Sequence, residues 1–388
     1  MFKINLIIIV LLQNITYADY SGIGPYNVET TTSMVTPSGN ISTQCTLFEP
    51  LNGPNTAHVI LTHGFLRDQG IMSGLAQHYA SWGLKVITMN LLNSSIINNN
   101  PLQDAQDLNW ISDEIGGGGP VIYVGHSAGG MRSVVAAAQD SESVAVLGLD
   151  LVDASDNAWG DIYLALENAS SISIPVWGLM AELSSCNADG NGLGVYNVAE
   201  DGNAIRITES DHCDYESPTD FLCNLLCDGT NDLFSDSQID SVILSLSTSF
   251  LLWQAGIDSD TQLLWTPGNE YYNDLITAGA ITQLVELSTD KDLTSPKAFK
   301  IFQNYPNPFN PVTIIAYDIP YDGFVNIIVY DIIGNIVKKL DTDKSDAGLN
   351  KIEWNGTNNQ GQLVSAGMYL YSVEVGSQRE TKKMIFLK

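Results

Sequence analysis

Positive charge is what this 388-residue chain lacks most. Between residues 19 and 290 there are four basic side chains, Arg67, Lys85, Arg132 and Arg206, against 34 acidic ones. A surface so poor in lysine and arginine does little to neutralise a phosphate backbone or an anionic bilayer, which disfavours anionic membrane faces and argues for no nucleic-acid partner. Long apolar runs are missing too. The run at residues 4–12 is shorter than the ~20 residues a membrane-crossing helix needs. With Lys3 before it and the small residue Ala18 after it, the run reads as a signal peptide over residues 1–18. No cysteine follows it to carry a lipid anchor. No C-x-x-C pair exists, which argues against zinc at Cys213, Cys223 and Cys227. No glutamate closes the stretch 187–192, so it reads as a glycine-rich turn rather than a calcium loop.

What is present divides the chain. The acidic body, net −30 over residues 19–290, gives way to a balanced tail with 10 acidic and 11 basic residues. Such a break marks a domain boundary. In the body, short apolar strand-like runs alternate with helix-like segments, which argues for a mostly parallel sheet with helices on both faces. Strands are expected at residues 26–35, 42–48, 58–62, 85–89, 121–124, 144–149, 174–180 and 204–208. Helices are expected at 71–82, 102–115, 128–139 and 237–253. Five cysteines make an odd count. In an oxidising compartment a bridge among the three that cluster after His212 pins that loop, and one thiol is left over.

The chemistry centres on Gly125-His126-Ser127-Ala128-Gly129. A serine on a sharp strand-to-helix turn needs small residues two positions away on each side, and glycine stands at both. The helix N-terminus behind Ser127 directs backbone N–H groups toward a developing oxyanion. Of five histidines only His212 follows Ser127, so the chain order Ser, acid, His assigns it as general base. The acid is Asp150, at the end of the 144–149 strand, or Asp153 three residues on. Glu182, at the edge of the segment after residues 174–180, is a weaker option. The oxyanion donors are the N–H groups of Phe65 and Ala128, with Gly64 allowing the tight backbone turn that aims the Phe65 N–H inward. His63 reads as a structural residue that ties down this loop. Trp159 lies in the loop after Asp153, where it flanks an acyl group or joins the core.

Together these segments resemble the α/β-hydrolase family over residues 26–289. The acid after the strand that follows the nucleophile helix is similar to the chlorophyllase-like and platelet-activating-factor acetylhydrolase-like branches. Residues 58–90, with Leu75-Ala76-Gln77-His78-Tyr79-Ala80-Ser81-Trp82-Gly83, also look like secreted polyester hydrolases and cutinases. Those enzymes carry the acid after the later strand and a tyrosine where Phe65 stands here. The resemblance therefore implies esterase chemistry without implying polyester activity.

The tail reads as short alternating strands, among them 313–317, 325–330 and 368–373, in a small Ig-like β-sandwich. It resembles the C-terminal sorting domain of the type IX secretion system. The matches are Asn304-Tyr305-Pro306-Asn307-Pro308-Phe309-Asn310-Pro311, Val329-Tyr330-Asp331-Ile332-Ile333-Gly334, Trp354-Asn355-Gly356-Thr357, Ala366-Gly367-Met368-Tyr369 and the closing segment 382–388. This implies the type IX machinery as a partner and export to the medium or the outer cell surface. The expected organisation is a signal peptide at 1–18, a hydrolase body at 19–290, a linker at 291–300 and a sorting sandwich at 301–388. The expected function is a monomeric secreted serine esterase acting on small or polymeric esters, with a polyester or cutin hydrolase and a non-catalytic cell-surface binding protein on a hydrolase body as the alternatives. The esterase needs neither metal nor organic cofactor.

Overall fold

The computed structural model describes residues 20–285 and 300–387, apart from 38–40, 55, 96–97, 154–163, 221–222, 224–226, 228–232, 303, 305, 320–322, 346–347 and 376–377. The expected signal peptide, Trp159 and nearly all of the linker lie outside the described residues. The chain divides into two compact units: the described residues up to 285 belong to the first and those from 300 onward to the second.

The first unit is built on one nine-stranded sheet. Its strands are β1 (Val28–Val35), β2 (Thr43–Pro50), β3 (His58–Thr62), β4 (Lys85–Met89), β5 (Val121–His126), β6 (Ser143–Leu149), β7 (Pro175–Met180), β8 (Asp201–Ile207) and β9 (Ile281–Gln283). The order is β1-β2-β4-β3-β5-β6-β7-β8-β9. The block from β4 to β8 is parallel, while β1, β2 and β9 pair antiparallel at the edges. Side chains on a strand alternate between faces, and a sheet covered on both sides is apolar at every position. The central strands follow this rule. Val59 and Leu61, Ile122 and Val124, and Ala145, Leu147 and Leu149 join one core. Ile60, Val121 and Tyr123, and Val146 join the other.

Helices cover each face. The first core holds Leu75, Ala76 and Tyr79 of α1 (Ser73–Ser81) and Ile243, Leu246 and Phe250 of the long helix Asp236–Gln254. The second holds Ala105, Leu108 and Ile111 of α2 (Pro101–Glu114), with Met131, Val134 and Val135 of α3 (Ala128–Gln139). The start of α2 is set locally. Asn100 accepts a hydrogen bond from the Gln103 N–H at 3.2 Å, and Pro101, with no N–H to lose, opens the first turn. The structure adds short elements that periodicity does not show: α4 (Leu164–Ala169), α5 (Leu193–Val198) and the edge strand β9. They are too brief to display a period. The sequence pattern places the last core strand at residues 204–208. In the structure β8 begins at Asp201, and β9 pairs beyond it.

The four basic residues of the body all form ion pairs: Arg67 with Glu216, Lys85 with Glu49, Arg132 with Asp104 and Arg206 with Glu182. Arg132 and Asp104 are fully buried at 2.7 Å and join α3 to α2. The scarce cations thus serve the interior and its margins, and the surface is left to carboxylates.

The described strands of the second unit pair antiparallel, and a single parallel bridge joins Phe309 to Phe386. One sheet has three strands, ordered β10 (Lys300–Ile301), β11 (Thr313–Ile319), β14 (Gly348–Trp354). The other has four, ordered β13 (Ile336–Ser345), β12 (Gly323–Asp331), β15 (Gly367–Val375), β16 (Gln378–Phe386). Trp354, Phe309, Tyr371 and Phe386 lie in one shared core. Asn304 is buried there: its backbone N–H donates to the Tyr371 hydroxyl at 2.7 Å, and its side chain donates to Thr313 Oγ1 at 2.9 Å.

Candidate active site

Ser127 is the single residue between β5 and α3. Its backbone sits at φ 55°, ψ −130°, a region that L side chains rarely adopt. Close packing explains the flanking glycines. A Cβ at Gly125 would fall 2.4 Å from the Gly129 carbonyl, and one at Gly129 would fall 2.4 Å from the His63 carbonyl oxygen. The turn is fixed from outside as well: the Ser127 N–H donates to Leu149 O at 3.1 Å, and the Ser127 carbonyl accepts from Val152 N at 3.0 Å. No side chain caps the start of α3, which leaves its first N–H groups, beginning at Ala128, for other acceptors.

Asp150 stands at the end of β6, the strand beside β5, and is completely buried. Its backbone also has positive φ, 43°. Oδ2 accepts from His212 Nδ1 at 2.6 Å. Oδ1 accepts from the Ala181 N–H at 3.0 Å, and the Asn187 carboxamide donates to both oxygens at 3.2 and 3.3 Å. This bonding keeps the His212 proton on Nδ1, so Nε2 of the neutral ring is the basic nitrogen. Asp153 does something else. Its two oxygens accept from Ala165 N at 2.9 Å and Leu166 N at 2.8 Å, at the start of α4. Glu182 is half exposed and lies 3.9 Å from Arg206.

His212 opens a 3-10 turn, His212–Tyr215, closed by a reciprocal cap. The Asp211 carboxylate accepts from Cys213 N at 2.6 Å, and the Asp214 carboxylate accepts from Asp211 N at 2.7 Å. Burial pushes the Asp214 carboxyl up to about 7. The ring of His212 lies against that of His126, centroids 4.5 Å apart. Ser127 Oγ and His212 are not hydrogen-bonded to each other in this structure.

The loop after β3 closes over the serine. A Cβ built on Gly64 would lie 2.9 Å from Ser127 Cβ and 3.4 Å from its Oγ, so this backbone passes directly beside the hydroxyl. Phe65 follows, partly buried, and Ala128 is buried at the head of α3. His63 is buried and anchors the loop. Its Nε2 accepts from Leu91 N at 3.0 Å, so Nδ1 carries the proton and donates to Gly64 O at 2.8 Å. Burial lowers its pKa to about 4.

Two disulfides border the site, Cys186–Cys227 and Cys213–Cys223, and Cys45 is free and buried. Cys213 adjoins His212, and Cys186 adjoins Asn187, the residue that holds Asp150. The sulfurs of Cys213, Cys223 and Cys227 lie within 4.8 Å of one another, but all three are bridged and offer no thiolate to a metal.

Phe65, Ser127 with Ala128, Asp150 and His212 therefore follow the carboxyl ends of β3, β5, β6 and β8 of one parallel block, the end at which open parallel sheets bind their ligands. Asn187 escapes sequence reasoning. It stands in the stretch expected to be a turn, which it does form, and no local signal marks its carboxamide as the support of an aspartate 37 residues away. His126, Arg67 and Glu216 escape it too.

Residues 322–379 match the FlgD Ig-like domain family. The match lies entirely within the second unit. No curated protein matches the chain.

Proposed function

We propose that the first unit is a serine esterase of the α/β-hydrolase type, with Ser127 as nucleophile, His212 as general base and Asp150 as the acid that orients it. The observation that carries this reading is the buried 2.6 Å contact between Asp150 Oδ2 and His212 Nδ1 beside a serine at a glycine-framed strand-to-helix turn. In the reaction, Ser127 Oγ attacks the ester carbonyl while its proton passes to His212 Nε2. The imidazolium that forms is stabilised by Asp150. The oxyanion is held by the Ala128 and Phe65 N–H groups, each such donor contributing roughly 3–4 kcal/mol to the transition state. His212 returns the proton to the leaving alcohol, and water then hydrolyses the acyl-enzyme by the same steps reversed. The Oγ–Nε2 hydrogen bond forms on substrate binding; such bonds are often long in ligand-free enzymes.

The second unit, on this reading, is a sorting domain for type IX export, and its Ig-like match supports a β-sandwich without specifying that role. The disulfides suit an oxidising compartment. A direct test of the catalytic reading is Ser127→Ala. It should abolish hydrolysis of p-nitrophenyl esters and labelling by a fluorophosphonate probe, with the circular dichroism spectrum unchanged. Undiminished turnover in this variant overturns the assignment.

A further inference from the structure

Glu216 is a buried carboxylate, 5% exposed, in the loop that carries His212. A carboxylate is withdrawn from water at a high cost unless charged partners offset it, and a guanidinium fork is the strongest such partner. Arg67 supplies that fork: its Nε donates to Oε1 and its Nη2 to Oε2, both at 2.8 Å. Arg67 lies three residues beyond Gly64, in the loop that carries Phe65. Its remaining arm, Nη1, donates to Asp220 at 2.7 Å, so one guanidinium grips the segment after His212 at two points.

The same carboxylate faces the serine turn. Glu216 Oε1 lies 3.4 Å from Nδ1 of His126, the residue before Ser127. The other nitrogen of that ring, Nε2, donates to the carbonyl of His212 at 2.9 Å. Two loops that are distant in sequence, those of Phe65 and His212, are thus joined through one acidic group, and the serine turn meets the His212 loop through the His126 Nε2 bond.

We propose that Glu216 and Arg67 form a positioning pair that locks the Phe65 loop to the His212 loop, so that the oxyanion donor and the general base keep a fixed relation to Ser127. The proposal rests on the esterase reading of this site. Neither side chain touches substrate; they act through the backbones they hold.

The test uses the full chain and a short p-nitrophenyl ester. Glu216→Gln keeps the shape and removes the charge, and should lower kcat by about tenfold with KM within about twofold, the signature of lost transition-state geometry. Arg67→Met should do the same, and the double variant should lose no more than the worse single, since the two act as one unit. Arg67→Lys keeps the charge without the fork and should stay impaired. Unchanged kcat in Glu216→Gln, or losses that multiply in the double variant, overturns the pairing. An independent readout is amide hydrogen exchange in the Ser127→Ala background. Residues 64–67 and 212–216 should gain exchange together when Glu216 is changed. A response confined to 212–216 overturns the coupling of the loops. Wild-type protein with neither ester turnover nor probe labelling sinks the esterase reading instead, and hydrogen exchange alone then decides whether the loops are coupled.

Discussion

A serine held at φ 55°, ψ −130° stores conformational energy in the turn, and replacing it by glycine should release that energy. Backbone conformations of this kind cost on the order of 1–3 kcal/mol for a residue with a Cβ. Glycine adopts them freely but gives up roughly 0.5–1 kcal/mol through the greater freedom of its unfolded chain. The difference leaves Ser127→Gly more stable than wild type by about 1 kcal/mol. Ser127→Ala keeps the Cβ, and with it the strain, so it should melt close to wild type. For a unit of this size, about 1 kcal/mol corresponds to a rise of roughly 2–4 °C. Thermal unfolding of the three full-length proteins, followed by near-ultraviolet circular dichroism, gives the comparison directly. The two units of the chain need not melt together, so the transition to compare is the one that shifts among the three. Both variants should be inactive toward esters. If Ser127→Gly melts at or below Ser127→Ala, the turn holds no strain and the argument from its backbone angles is wrong.

Three further outcomes are expected. Asp150→Asn should reduce kcat by about 10⁴-fold, the scale for losing the group that fixes the base tautomer, whereas Asp153→Asn should chiefly lower stability through its cap, by about 1 kcal/mol; equal kinetic losses in both would contradict the assignment. Burial lowers the pKa of His58 and His63 from 6.5 to about 4, with neither charged in the fold. The stability this confers is complete above pH 6.5 and is lost as pH falls toward 4, at most on the order of 3 kcal/mol per ring. Denaturant midpoints should fall across that window accordingly, and His58→Gln, which can still meet Ser112, should weaken this dependence on pH. Replacing Cys213 and Cys223 together by serine opens a loop with a sequence separation of 10, which should cost about 3 kcal/mol and lower kcat by loosening His212; unchanged melting and turnover would show that the bridge is idle.

Much of this architecture is legible in the linear sequence, because its cause is local. The fully apolar strands around Val59, Ile122 and Leu147 announce a sheet covered on both sides, and the glycines about Ser127 announce a crowded turn. The order of the chemical groups along the chain singles out His212. Position at the very end of a strand already favours Asp150 over Asp153 as the proposed acid, and the fold gives the two different partners: Asp153 faces the N–H groups of α4, while Asp150 faces an imidazole 62 residues away. Glu216 could not be found in this way. It is one of 34 acidic residues in the body, and nothing near it in sequence distinguishes a buried partner of Arg67 from a solvated carboxylate. Asn187 is hidden for the same reason. Supporting groups are defined by neighbours that the chain brings together last.

The two disulfides are nested: the ring closed by Cys213 and Cys223 lies wholly inside the ring closed by Cys186 and Cys227. A protease that severs any peptide bond between Cys213 and Cys223 therefore opens both rings without freeing either fragment. The clipped protein stays one covalent molecule, migrating as a single species until it is reduced, and the histidine-bearing stretch remains tethered on both flanks of the cut.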